Sequence, residues 1–335
     1  MTGGSGIELL YDAKNKLGES PVWDPHLNCL WWIDCVGRAL LRYDLTSGQT
    51  TVVPVGSAIH AIGVRSTGGL VAAMTFGFCT LNPETGAHSV ISVPEADRPD
   101  FHFNDGKCGP DNRFWVGSMH KSYNASDGQV FKLGPDDVCA TMMTGFTVPN
   151  GLGWSPDLDF FYIADSPSGA IFKFDYERHG GSLRRRQIAV APGEAPGWPD
   201  GMSVDTDGCL WSVRWDGGCV VRFTPDGAVD RVVDLPVTRP TSCAFGGPNL
   251  DILFITSGTA GMEDAALADE PQAGGLFAIR PGVQGVPVGT FDGPSSFWHP
   301  GEGFDEGDET TDGEEALEED EEEPRRKSLF KRWTE

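Results

Sequence analysis

The stretch Pro199-Asp200-Gly201-Met202-Ser203-Val204-Asp205-Thr206-Asp207-Gly208 decides how the rest of the chain is read. A carboxylate stands before an apolar-leaning strand, and a tight Asp-Gly turn closes that strand six to eight residues later. The arrangement recurs. Glu19 precedes Pro25 by six residues, as His60 precedes Ser66, Asn104 Pro110, Asn150 Pro156, Asp200 Thr206 and Ser242 Pro248. The turn positions lie 41, 44, 46, 50 and 42 residues apart. A period in the forties with several short strands per unit is that of propeller blades. The six leading polar residues therefore hold rotationally equivalent positions.

The residues around them agree. Glu19-Ser-Pro-Val-Trp23, His60-Ala-Ile-Gly-Val64, Asn104-Asp-Gly-Lys-Cys108, Asn150-Gly-Leu-Gly-Trp154, Asp200-Gly-Met-Ser-Val204 and Ser242-Cys-Ala-Phe-Gly246 are mostly apolar two and four places after the polar residue. Successive strand side chains alternate faces. If each of these is the innermost strand of its blade, six polar groups converge at one mouth of the channel. A ring containing Glu19, Asn104, Asn150 and Asp200 offers the carboxylate and amide oxygens that hard cations take.

Further strands complete each unit. The first repeat reads Cys29-Leu-Trp-Trp-Ile-Asp34, Ala39-Leu-Leu-Arg-Tyr-Asp44 and Gly48-Gln-Thr-Thr-Val-Val-Pro54, and the others follow the scheme. Ile7-Glu-Leu-Leu-Tyr11 precedes the first repeat and is expected to join the last blade, sealing the ring. Longer loops are expected at residues 119–127 and 258–273, where recognition elements commonly sit.

The repeat covers about residues 19–291 of 335. This predicts an all-β, six-bladed β-propeller over residues 1–300, large enough to need no covalent staples. Residues 301–335 differ in kind. They hold 15 acidic and 5 basic side chains, a net of −10 out of −24 for the chain. With almost no apolar residues between 302 and 323, a disordered acidic tail is predicted, ending in a short basic segment around Pro324-Arg-Arg-Lys327. That end is a candidate partner or nuclear-import peptide. The acidic body argues against a nucleic-acid phosphate backbone as ligand. No run approaches a membrane span, and Met1-Thr-Gly-Gly-Ser-Gly carries no secretory pattern. The eight scattered cysteines then read as buried free thiols of a cytoplasmic protein, although Cys209 and Cys219 could face each other across a hairpin.

At Leu17-Gly-Glu-Ser-Pro-Val-Trp23, Asn104-Asp-Gly-Lys107, Phe114-Trp-Val-Gly-Ser-Met119, Pro149-Asn-Gly-Leu-Gly-Trp154, Pro199-Asp-Gly-Met202 and Gly274-Gly-Leu-Phe-Ala-Ile279 the chain resembles the gluconolactonase, regucalcin (senescence marker protein) and luciferin-regenerating enzyme family. The resemblance spans about residues 7–291. It implies a six-bladed propeller that binds one divalent cation and hydrolyses sugar-acid lactones. It further implies Glu19, Asn150 and Asp200 as metal ligands, with Asn104 beside the metal as a substrate contact and Asp105 its acidic neighbour. The chain departs from the family pattern at His102, where many members have Arg. It departs again at His120-Lys121-Ser122, where an acidic residue is usual. His102 and Lys121 thus become candidate substrate contacts.

The chemistry expected is metal-dependent lactone hydrolysis, with Asp200 as ligand and general base. The donor set suits Ca²⁺, Mg²⁺, Mn²⁺ or Zn²⁺. No G-x-S-x-G elbow supports a serine hydrolase, and no phosphate loop or dinucleotide fingerprint is present. Two alternatives remain at this level. One is a non-catalytic propeller that binds calcium or a partner, because fold alone does not set function. The other is a hydrolase of non-sugar lactones or esters.

Overall fold

Strands that are apolar on both faces must be covered on both sides. The computed structural model, which describes residues 6–178 and 180–293, meets this with six four-stranded antiparallel sheets. After β1 (Glu8–Tyr11), blade one is β2 (Gly18–Asp24), β3 (Cys29–Asp34), β4 (Ala39–Asp44) and β5 (Thr50–Pro54). Blade two is β6 (Ile59–Val64), β7 (Leu70–Met74), β8 (Gly77–Leu81) and β9 (His88–Ser92). Blade three is β10 (Phe101–Cys108), β11 (Phe114–His120), β12 (Gly128–Leu133) and β13 (Cys139–Phe146). Blade four is β14 (Pro149–Trp154), β15 (Phe160–Asp165), β16 (Ala170–Tyr176) and β17 (Leu183–Val190). Blade five is β18 (Trp198–Val204), β19 (Leu210–Trp215), β20 (Cys219–Phe223) and β21 (Val229–Asp234). Blade six has β22 (Pro240–Gly246), β23 (Ile252–Ser257) and β24 (Leu276–Ile279), and β1 adds its fourth strand by pairing antiparallel with β24. The predicted closure by the N-terminal strand is therefore present, and it removes a free sheet edge.

The first full strand of each blade, β2, β6, β10, β14, β18 and β22, lies innermost, and each touches the next around a closed ring. The core is divided into six apolar clusters, one at each blade–blade boundary. Strand alternation builds them. In β3, Cys29, Trp31 and Ile33 pack toward blade two, while Leu30 and Trp32 pack toward blade six. Burying a side chain of this size contributes about 2–3 kcal/mol. In three blades a turn carboxylate also accepts an indole N–H from the second strand: Asp24 from Trp31 (3.4 Å), Asp111 from Trp115 (3.2 Å) and Asp205 from Trp211 (2.8 Å).

Residues 283–291 form a strap across the far ends of the inner strands. It is tied by Thr206 N to Gln284 O (2.9 Å), Gly285 N to Leu250 O (2.8 Å), Val286 N to Val204 O (3.0 Å) and Phe291 N to Val64 O (2.8 Å). Phe291 is fully buried between blades two and three.

Some local expectations need correction. Met119 and His120 belong to β11, not to a loop, because the long strand β10 pairs as far as Phe101 with His120. The loop is therefore 121–127. The 258–273 loop contains a short helix, α1 (Asp264–Asp269), grown on an alanine-rich run. All eight cysteines are free, seven buried and Cys139 half-buried, so Cys209 and Cys219 form no bridge. Among the described residues no helix is long and apolar enough to cross a membrane. The acidic tail and the 300/301 boundary lie outside the described residues, as do residues 1–5.

Candidate functional site

All six inner strands slip register at the repeated polar position. The slips fall between Glu19 and Val22, Ile59 and Ala61, Phe103 and Gly106, Asn150 and Leu152, Pro199 and Met202, and Pro240 and Cys243. A bulge inserts an unpaired residue and re-aims its side chain. Here it turns a polar residue of a buried strand toward the axis. Glycine makes two of these turns possible. Gly151 has φ 41°, and a Cβ there would lie 2.5 Å from the Asp200 carbonyl oxygen. A Cβ on Gly201 would lie 2.5 Å from the Ser242 Cα, and the Ser242 hydroxyl packs against this glycine.

The segments that enter the inner strands are held by the last residue, or the one before it, of the second strand in three blades. Asp34 accepts hydrogen bonds from the backbone N–H groups of Lys16 (2.9 Å), Leu17 (3.0 Å) and Gly37 (2.9 Å). Asp165 accepts from Thr147 (3.1 Å) and Val148 (2.8 Å). Burial pushes the Asp165 carboxyl upward, against the pull of those N–H groups. In blade five the polarity is inverted. Arg214 donates from Nε to Pro196 O (3.0 Å) and from Nη2 to Gly197 O (3.0 Å), and burial holds its guanidinium down to about 10. These clamps fix Leu17 and Val148 directly and Trp198 through the preceding Gly197, each two residues before a repeated polar residue.

The result is a cavity of about 670 Å³ including its open mouth. Its floor is formed by Glu19, His60, Asn104, Asn150 and Asp200, five of the six repeated residues, together with Asp105 and Ser166. Ser242, the sixth, is buried and does not line it. Asn150 Nδ2 donates to Asp200 Oδ1 (2.5 Å) and Ser166 Oγ (3.2 Å), and Ser166 donates to Pro199 O (2.7 Å). The amide oxygen of Asn150 is left as an acceptor. Glu19 Oε2 accepts its neighbour's N–H from Ser20 (3.1 Å), and Asn104 Nδ2 donates to Pro149 O (2.9 Å). Burial raises the Asp105 carboxyl, opposed by the Lys107 ammonium and by backbone N–H groups. His60 lies 3.5 Å from the Cys35 thiol through Nδ1 and packs at a tilt against His102, with ring centroids 5.0 Å apart.

The candidate metal ligands and Asn104 thus come together from four blades. Two carboxylates and an amide line one space, and no lysine or arginine lines it. That donor set fits a hard divalent cation. Among the described residues no group of three or more His, Cys, Asp or Glu side chains is placed to hold an ion, and the candidate set here pairs two carboxylates with an amide. His102 and Lys121 are elsewhere. His102 is buried behind His60, its Nδ1–H donating to Phe103 O (2.7 Å), and both line a separate neighbouring cavity with Glu95 and Arg98. The sequence reading missed the upper wall of Leu17, Cys35, Tyr123, Val148, Trp198 and Trp215. The shared offset of two residues before the repeated polar position was the available signal for three of them.

Known proteins with this architecture can now be set beside it. The model of the SMP-30/Gluconolactonase/LRE-like region matches residues 17–259. Regucalcin of Gallus gallus is 34% identical over 294 residues, covering 86% of this chain and 98% of the relative. A pentonolactonase of Haloferax volcanii is 34% identical over 287 residues, covering 84% and 96%. The crystal structure of a calcium-binding protein, regucalcin, from Agrobacterium tumefaciens superposes with a TM-score of 0.80 at 25% identity, covering 84% of this chain and 96% of that one. With the family match spanning the inner strands of all six blades, the chain belongs to the SMP-30/gluconolactonase/LRE-like family.

Proposed function

We propose that the chain is a divalent-metal-dependent hydrolase of lactones, acting on sugar-acid lactones such as gluconolactone. The observation that carries this reading is the convergence of Glu19, Asn150 and Asp200 on a cavity lined by no lysine or arginine. The pentonolactonase among the relatives supports the reaction class, and the calcium-binding neighbour supports a cation. Glu19, Asn150 and Asp200 would hold the ion. When bound, the ion supplies Lewis acidity toward a lactone carbonyl.

The chain's own groups perform the rest. Asn104, fixed by its bond to Pro149 O, presents its amide oxygen to orient substrate. Asp200 accepts a proton from the water whose oxygen bonds to the acyl carbon. The ring C–O bond then breaks, and the proton returns from Asp200 to the departing ring oxygen. The product is the hydroxy acid.

Elemental analysis and acid release from an aldonolactone panel, with and without added divalent metal, test this. One tightly held cation is expected, and Glu19→Gln should lose it. Equal metal content in both proteins would remove the ligand assignment. Asp200→Asn keeps one oxygen ligand but little basicity. Measured fully metal-loaded, its turnover should fall roughly a hundredfold or more. Wild-type turnover in that sample would show that Asp200 is not the base.

A further inference from the structure

The cavity has a polar floor and an apolar wall. Two residues before the repeated polar positions stand Leu17, Ala58, His102, Val148, Trp198 and Pro240. All but His102 lack an ionisable or hydroxyl group, and Leu17, Val148 and Trp198 line the cavity. Trp215 faces Trp198 across the β18–β19 pair, and Tyr123 reaches the wall from the 121–127 loop. These residues do not belong to the six boundary cores. They form two separate clusters, one of Leu17, Cys35, Trp215 and Ala260 with Trp198 packed against it, the other of Met119, Tyr123 and Val148.

A compact polyhydroxylated lactone can satisfy the floor but makes little use of this wall, whose residues line the cavity while packed against one another. Apolar surface gathered inside a concave site is the usual means of holding an apolar ligand body, with a few polar groups fixing its orientation. Charge narrows the class further. Glu19, Asp105 and Asp200 line the cavity and no lysine or arginine does. Apart from the cation that Glu19, Asn150 and Asp200 would hold, the lining offers no lysine or arginine to pair with a carboxylate or phosphate on the substituent.

We propose that this site also hydrolyses uncharged lactones bearing an alkyl or aryl substituent. The ester lies at the floor, and the substituent lies against Trp198, Trp215 and Tyr123. The bond changes are those already described: water oxygen joins the acyl carbon, the ring C–O bond breaks, and the proton passes to the leaving ring oxygen. The inference rests on the lactonase reading.

The test uses full-length, metal-loaded protein and γ-lactones whose alkyl substituent lengthens from methyl to heptyl, with gluconolactone as reference. Each methylene that reaches the wall should raise kcat/KM roughly three- to fourfold, until the wall is filled. Trp198→Gln and Tyr123→Gln are read by the heptyl-to-methyl ratio of kcat/KM, which is independent of the folded fraction. Each should cut that ratio about tenfold. No dependence on chain length while gluconolactone is hydrolysed would overturn the inference and leave lactonase activity standing. A chain-length dependence untouched by either substitution would also overturn it, because the wall would not be its source. Failure to hydrolyse any lactone would remove the parent reading and the inference together.

Discussion

Replacing Asp34 with alanine should both destabilise the propeller and disturb a site the side chain does not enter. Asp34 is buried, with Oδ1 accepting from Leu17 N and Gly37 N and Oδ2 from Lys16 N. Lys16 and Gly37 are exposed residues, so water can replace the carboxylate at their N–H groups at a cost of about 0.5 kcal/mol each. Leu17 is 4% exposed, and its orphaned N–H should cost about 2 kcal/mol. The total is about 3 kcal/mol. At roughly 2.1 cal/mol/K per residue, the entropy of unfolding for this domain is about 0.6 kcal/mol/K, so Tm should fall by about 5 °C. Asp34→Asn keeps one oxygen for Leu17 and Gly37 and should fall by only about 2 °C. Because the Leu17 anchor sets where Glu19 enters β2, the alanine variant should also lose about tenfold in lactone kcat/KM, a displacement effect. Differential scanning calorimetry and the lactone assay on the same samples read both quantities. An alanine variant that melts within about 1 °C of wild type and retains full activity would refute the clamp argument.

Other changes probe other parts. Gly201→Ala drives a methyl into Ser242, backbone included, and should lower both solubility of the expressed protein and metal content by moving Asp200; a variant with wild-type Tm and metal content would count against the bulge as the device that aims Asp200. Removing residues 301–335 should leave Tm and activity nearly unchanged, because that segment has no periodic apolar pattern. Ending the chain before 283 should abolish cooperative melting, since it removes the strap and the buried Phe291; equal melting of the two truncations would show that the strap contributes nothing.

The architecture was legible because a propeller writes itself as a period. The six turn positions, the alternation in stretches such as Cys29-Leu-Trp-Trp-Ile33, and the strand at Ile7–Tyr11 all follow from local pattern. The floor was legible for the same reason, as Glu19, Asn104, Asn150 and Asp200 share a register. What escaped depends on how one strand sits against another. A bulge is a relation between two strands, so neither sequence alone records it, and Gly151 and Gly201 were its only local traces. Asp34 and Asp165 each stand 15 residues after a floor residue, yet their clamping role requires knowing that the chain folds back there. Ser242 obeyed the register but sits against Gly201, where the missing side chain gives it room. His102, where the chain departs from the family pattern, lies one layer back, behind His60.

The strap, finally, determines how molecules come and go. Lys107 reaches across the channel from blade three to donate to Met202 O of blade five (2.6 Å), and below it the strap lies over the inner strand ends. The axis of the ring is therefore a blind well. On the lactonase reading, lactone and hydroxy acid use one doorway in turn, so each product must clear the well before the next substrate can enter.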